Sequence, residues 1–111
     1  MPRPSTIDPE KQLMIKTKTL QRLIKEVCYY KSEVEENTSK LNQMKADEKD
    51  KYDIKKFAEV LDESLMMIPD SAKRKMAAVQ DLLHFVEGNQ DLQQDSEWMV
   101  TAKALLEEHS S

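Results

Sequence analysis

A chain of 111 residues suits one domain and leaves little room for a large buried core. Charged residues make up 34% and hydrophobic ones 39%, against 5% aromatics and a single glycine, a balance that disfavours a sheet and fits long helices or a coiled coil. The net charge of −4 and pI near 5.2 argue against a phosphate-tracking nucleic-acid binder, and no stretch approaches the ~18 apolar residues of a membrane span.

The opening MPRPSTIDP holds three of the four prolines and no apolar signal region, so residues 1–8 are expected to form a flexible tail. Asp8 can cap a first turn, with Pro9 at the first helical position, where its missing N–H costs nothing. From there Leu13, Leu20, Val27, Val34 and Leu41 recur every seven residues, joined three further on by Leu23, Tyr30 and Met44. That seam predicts a first helix over about 9–45, roughly 55 Å long at ~1.5 Å per residue. Six basic side chains between Pro9 and Lys31, against Glu10 and Glu26, give this part a charge of +4. Cys28, the only cysteine, excludes an internal disulfide and fits a reducing compartment; one step off the seam, it reads as a half-buried small residue.

ADEKDKYD, Ala46 to Asp53, alternates in charge without apolar periodicity and reads as a turn, with Asp53 capping a second helix over about 53–87. Ile54, Leu61, Ile68 and Leu82 mark one heptad position, and Ala58, Leu65, Ala72, Val79 and Val86 lie four residues after each step of that series. Pro69 stands inside this pattern, where proline removes a backbone hydrogen bond and crowds the carbonyl four residues back. The seam keeps its phase across it, which predicts a bent but continuous helix with Asp70 or Ser71 helping to satisfy freed backbone groups. Met66 and Met67 fall between seam positions, so they either fill gaps at the bend or offer adaptable contact to a partner. Gly88 is placed to end the helix in a left-handed conformation.

The pattern resumes with Leu92, Met99 and Leu106, flanked by Trp98, Ala102 and Leu105, predicting a third helix over about 90–108. From Glu87 onward six acids against Lys103 give −5, so the first and last helices either neutralise each other side by side or present two charged patches to a partner. Three amphipathic segments joined by short polar turns fold most simply as an all-α, elongated antiparallel three-helix bundle, a spectrin-like rod over residues 9–109 with a proline-bent second helix.

Catalytic chemistry finds no foothold. His84 and His109 are far apart in sequence, neither has metal-ligand spacing to Cys28, and His84 falls on the outer part of its stripe. One glycine cannot build a phosphate loop, and a slender bundle leaves little room for a pocket. No enzyme, metal or cofactor is expected. Composition and periodicity reach a helical bundle that binds another protein.

At YDIKKFAEVLDESLMMIPD, Tyr52 to Asp70, the sequence resembles tubulin-specific chaperone A, the tubulin-folding cofactor A family. ESLMMIPD is close to a signature of that family, and IKTKTLQRLIKE, Ile15 to Glu26, is a second, weaker match; together the likeness covers roughly Ile15 to Leu92. The resemblance implies a cytoplasmic, cytoskeleton-associated three-helix protein, monomer or homodimer. Such a protein captures β-tubulin folding intermediates released by the chaperonin and passes them to other tubulin-folding cofactors, with no nucleotide, metal, nucleic acid or membrane involved. Glu63, Ser64, Met66, Met67, Ile68, Pro69 and Asp70 match its motif and, with Tyr52, Asp53, Lys55 and Lys56 at the head of the same run, are the candidate partner-binding residues. A helical adaptor or coiled-coil assembly domain is the alternative.

Overall fold

The computed structural model describes residues 8–92 and 94–110, nearly all in three helices: α1, Pro9–Ala46; α2, Lys51–Gly88; and α3, Glu97–His109. The expected tail over 1–8 lies, apart from Asp8, outside the described residues. Asp8 caps α1 as expected, its carboxylate accepting from the Glu10 N–H at 3.2 Å and its carbonyl from Gln12 at 2.9 Å.

The chain divides into two compact units. Unit 1 joins residues up to Leu23 with those from Arg74 onward; unit 2 is Ile24–Lys73. In unit 1 the start of α1, the end of α2 and the whole of α3 form a three-helix bundle. Leu13, Leu20, Val79, Leu82, Met99 and Ala102 are all fully buried there, each element contributing residues three, four or seven apart. Lys16 of α1 meets Asp81 of α2 at 2.8 Å and lies 5.7 Å from the Phe85 ring centroid, while Lys18 lies 5.4 Å from that of Trp98 in α3. The basic start of α1 and the acidic end of the chain thus share a unit.

Unit 2 is an antiparallel hairpin of two helices only. Lys40 faces Phe57 and Asn37 faces Ser64, partner numbers falling as those of α1 rise. Its most buried residues are Val27, Leu41, Ser64 and Ser71, two of them hydroxyls. No apolar side chain of unit 2 is fully buried, because no third helix closes it.

Several expectations are corrected. The first turn is closed by Glu48, in the left-handed region at φ 54°. The Lys49 N–H reaches the Met44 carbonyl at 3.0 Å and the Glu48 N–H reaches Lys45 at 3.1 Å, the paired bonds that cap a helix end. The cap of α2 is Asp50, bonded to the Tyr52 N–H at 3.2 Å, and Asp53 already lies inside the helix. Gly88 is the last residue of α2 and has no positive φ; beyond it the Asn89 and Gln90 side-chain amides donate to the Phe85 and Val86 carbonyls. Leu92 precedes α3 rather than belonging to it: the helix begins at Glu97 because Ser96 caps it, accepting from the Met99 N–H at 3.2 Å. Cys28 is exposed rather than half-buried.

The largest correction concerns Leu65. Expected in the seam, it is 46% exposed, and the buried position beside it is Ser64. A +4 stripe is needed only where a second neighbour covers it. In unit 1 Val79 and Val86 keep that stripe buried, whereas in the two-helix unit 2 the buried positions are the +3 residues Ser64 and Ser71, with Ala58 and Ala72 of the +4 stripe half-buried.

α2 runs unbroken through Pro69. Proline has no N–H for the Leu65 carbonyl, and the compensation lies in where this turn sits: Leu65, Met66, Pro69 and Asp70 are all exposed, so water can reach the orphan acceptor. Ser71, fully buried, donates its hydroxyl to the Ile68 carbonyl at 3.0 Å.

Candidate functional site

On α2, residues 53, 56, 57, 60, 63, 64 and 67 recur at intervals of three and four and therefore share one face. Opposite them on α1 stand Tyr30, Glu33, Lys40 and Met44. Between the two helices of unit 2 runs an open groove in two adjoining parts. The part towards the middle of α2 holds about 420 Å³ and is lined by Tyr30, Glu33, Val60, Glu63, Ser64, Met66 and Met67. The part towards the turn holds about 440 Å³, lined by Lys40, Met44, Asp53, Lys56, Phe57 and Glu59, with Val60 and Glu63 common to both. The two parts adjoin at Val60 and Glu63, which line both, and together make up the channel of this unit.

The floor is set by a polar clasp. The Asn37 amide donates to the Ser64 hydroxyl at 3.1 Å, and that hydroxyl lies 3.3 Å from a Glu33 carboxylate oxygen and 3.2 Å from the Val60 carbonyl. Among the described residues no buried polar side-chain atom lacks a partner. Exposed apolar groups stand among the charged lining residues: Val60 is 44% and Met66 70% exposed, and Phe57 is backed by the Lys40 ammonium at 5.0 Å from its ring centroid.

Of the residues singled out in the sequence, Glu63, Ser64, Met66 and Met67 come together in the first part of the channel and Asp53 and Lys56 in the second. Tyr52, Lys55 and Lys56 meet in a smaller hollow of about 230 Å³ with Glu59, where the Lys56 ammonium lies 5.7 Å from the Tyr52 ring centroid. Ile68 is half-buried, and Pro69 and Asp70 are exposed; none of these three lines any of these hollows. Sequence reasoning missed Val60, Phe57 and the α1 wall. Val60 and Phe57 lie inside the quoted motif but off the expected stripe, and the α1 residues become visible only once Asn37 is known to face Ser64.

The arrangement suits the binding of another protein. Among the described residues no group of three or more His, Cys, Asp or Glu side chains could hold a metal ion, and no helix is long and apolar enough to cross a membrane. The channel combines adaptable thioethers, an aromatic ring and carboxylates on an open surface, the composition of a seat for a protein segment.

A family model described as tubulin binding cofactor A matches residues 8–106. The chain is 42% identical over 92 residues to human tubulin-specific chaperone A, covering 82% of this chain and 85% of that one. To tubulin-folding cofactor A of Arabidopsis thaliana it is 46% identical over 72 residues, or 65% and 64% of the two chains. Among solved structures, the Arabidopsis thaliana tubulin folding cofactor A superposes with a TM-score of 0.81 at 35% identity, covering 90% of this chain and 94% of that one. The human tubulin chaperone cofactor A does so at 0.77 and 38%, covering 94% and 100%.

Proposed function

The chain belongs to the tubulin binding cofactor A family, and on that premise we propose that it captures β-tubulin folding intermediates released by the chaperonin and passes them to later tubulin-folding cofactors in the cytoplasm. The match over residues 8–106 carries this reading. Supporting it, the relatives are named as chaperones and folding cofactors. Further support comes from the stretch Tyr52 to Asp70, which resembles a motif of the family and includes five residues lining the first part of an open channel with exposed apolar side chains. A holding chaperone needs such a surface: it must meet apolar side chains of a client that has not buried them, and release them again.

Met66, Met67 and Glu63 are the contact residues in this reading, and Pro69 shapes the neighbouring turn so that the outer face fits the client. The test is to mix the purified protein with newly chaperonin-released β-tubulin, and separately with α-tubulin, and to resolve complexes on a native gel. A complex with β-tubulin alone is the expected result. Absence of a complex with either sinks the reading.

A further inference from the structure

We propose that the channel of unit 2 is the seat of an amphipathic α-helix supplied by the client, with an apolar stripe and a basic residue beside it, which serves this hairpin as its third helix. The inference rests on the tubulin-capturing reading above and adds where and in what conformation the client is held.

Three observations carry it. In unit 1 the α1–α2 pair is closed by the 13-residue α3, which buries Met99, Ala102 and Leu106 at spacings of three and four. In unit 2 the same two helices pair without a third, leaving Val60, Leu65 and Met66 between 44 and 70% exposed. The channel from Asp53 to Met67 is roughly 20 Å long at ~1.5 Å per residue, the length of a helix the size of α3.

The second observation concerns the backbone. Both walls are helices whose own N–H and C=O groups are, apart from the Leu65 carbonyl opposite Pro69, paired within them, so the channel offers an extended segment no ladder of partners. A strand laid there would bury unpaired peptide groups, whereas a helix brings its own hydrogen bonds.

Charge fixes the third feature. Glu33 on α1 and Glu63 on α2 stand on opposite walls of the same part of the channel. Glu33 is engaged by Ser64, while Glu63 has no partner among the described residues. Two carboxylates beside the apolar groups of Tyr30, Val60, Met66 and Met67 select a lysine or arginine placed beside apolar positions on the incoming helix.

The experiment uses the full chain and chaperonin-released β-tubulin as the probe, titrated at several salt concentrations, with Val60→Arg and Glu63→Gln as channel variants. Val100→Arg serves as control on α3, where Val100 is 55% exposed. Circular dichroism confirms that each variant is folded, as expected for surface positions. We expect Val60→Arg to weaken binding about tenfold or more and Glu63→Gln about threefold with a flatter salt dependence, Val100→Arg leaving it unchanged. Wild-type binding that both channel variants retain in full overturns the inference and leaves the capture reading standing. No binding by the wild type overturns both. A wild-type dimer by sedimentation that Val60→Arg dissociates, with tubulin binding untouched, assigns the channel to a second copy of this chain and overturns the inference.

Discussion

The Asn37 amide of α1 donates a hydrogen bond to the Ser64 hydroxyl of α2 at 3.1 Å, with Ser64 only 5% exposed. This polar pair occupies the place where an apolar seam would continue, and it fixes which residue of one helix faces which residue of the other. The Asn37 and Glu33 partners of that hydroxyl come from the other helix and fit one register, whereas its bond to the Val60 carbonyl lies within α2 and is kept in any.

Ser64→Ala is expected to cost about 1–2 kcal/mol, since the Asn37 amide loses its acceptor in a part-buried site. Urea denaturation of Ser64→Ala, Asn37→Ala and the double variant checks this. Strict additivity of the two single effects contradicts the assigned pair.

Leu65 and Leu82 belong to the same apolar pattern but differ in burial, 46% against 0% exposed. Leu82→Ala should lose about 2–5 kcal/mol through the cavity it leaves, and Leu65→Ala less than about 1 kcal/mol. Equal losses in thermal or chemical denaturation contradict the burial assigned to Leu65.

Glu48 holds φ 54° without being glycine. A side chain there sits against the following carbonyl at a cost of roughly 1–2 kcal/mol. Glu48→Gly should therefore stabilise the protein by about 1 kcal/mol, part of the gain being offset by the greater freedom of glycine in the unfolded chain. A lowered urea midpoint in this variant contradicts the left-handed assignment.

Pro69→Ala returns an N–H to the Leu65 carbonyl within an unbroken α2. A proline inside a helix costs about 3 kcal/mol or more, and the exposure of this turn brings the expected gain nearer ~1–2 kcal/mol. The variant should stay folded while binding β-tubulin more weakly; a folded variant with unchanged capture on a native gel shows that Pro69 has no part in client fit.

Amide hydrogen exchange should separate the units. Every apolar side chain with no exposure lies in unit 1, while the most buried residues of unit 2 include Ser64 and Ser71. Amides around Val60 should exchange through smaller opening free energies than those around Leu82. Equal protection contradicts that ordering.

Much of this was legible in the sequence. Leu13, Leu20, Val27 and Leu41 announced the buried face of α1, and all four are buried; Val79, Leu82 and Val86 did the same for the end of α2. What stayed hidden was hidden for a physical reason. Periodicity counts apolar residues, so Thr17, which is fully buried with its hydroxyl on the Leu13 carbonyl at 2.7 Å, reads as surface. Ser64 and Ser71 misled in the same way, and with them the choice of Leu65. Nor does a stripe reveal how many neighbours cover it: Leu92 continues the third pattern, yet the chain before Ser96 is held in turns, with the Leu92 N–H on the Asn89 carbonyl at 3.1 Å. Half of the channel was likewise out of view, because Tyr30 and Glu33 acquire meaning only from the register that the Asn37 to Ser64 bond sets. The charge asymmetry was read correctly as a count, although Asp81 of α2 is the acid that Lys16 meets.

The turn closed by Glu48 bears on the order in which the molecule assembles. Lys16 and Asp81 are 65 residues apart in the chain, and bringing them together from a random coil carries the entropy of closing a long loop. Once the hairpin around Glu48 has begun to zip, each further contact closes only a short one, because the effective loop shrinks with every turn formed. The least buried unit is thus the one suited to nucleate, and the better-packed unit completes last, when α3 docks. Substitutions that ease the Glu48 turn should accordingly speed folding more than they slow unfolding, and stopped-flow refolding of Glu48→Gly reads that partition directly.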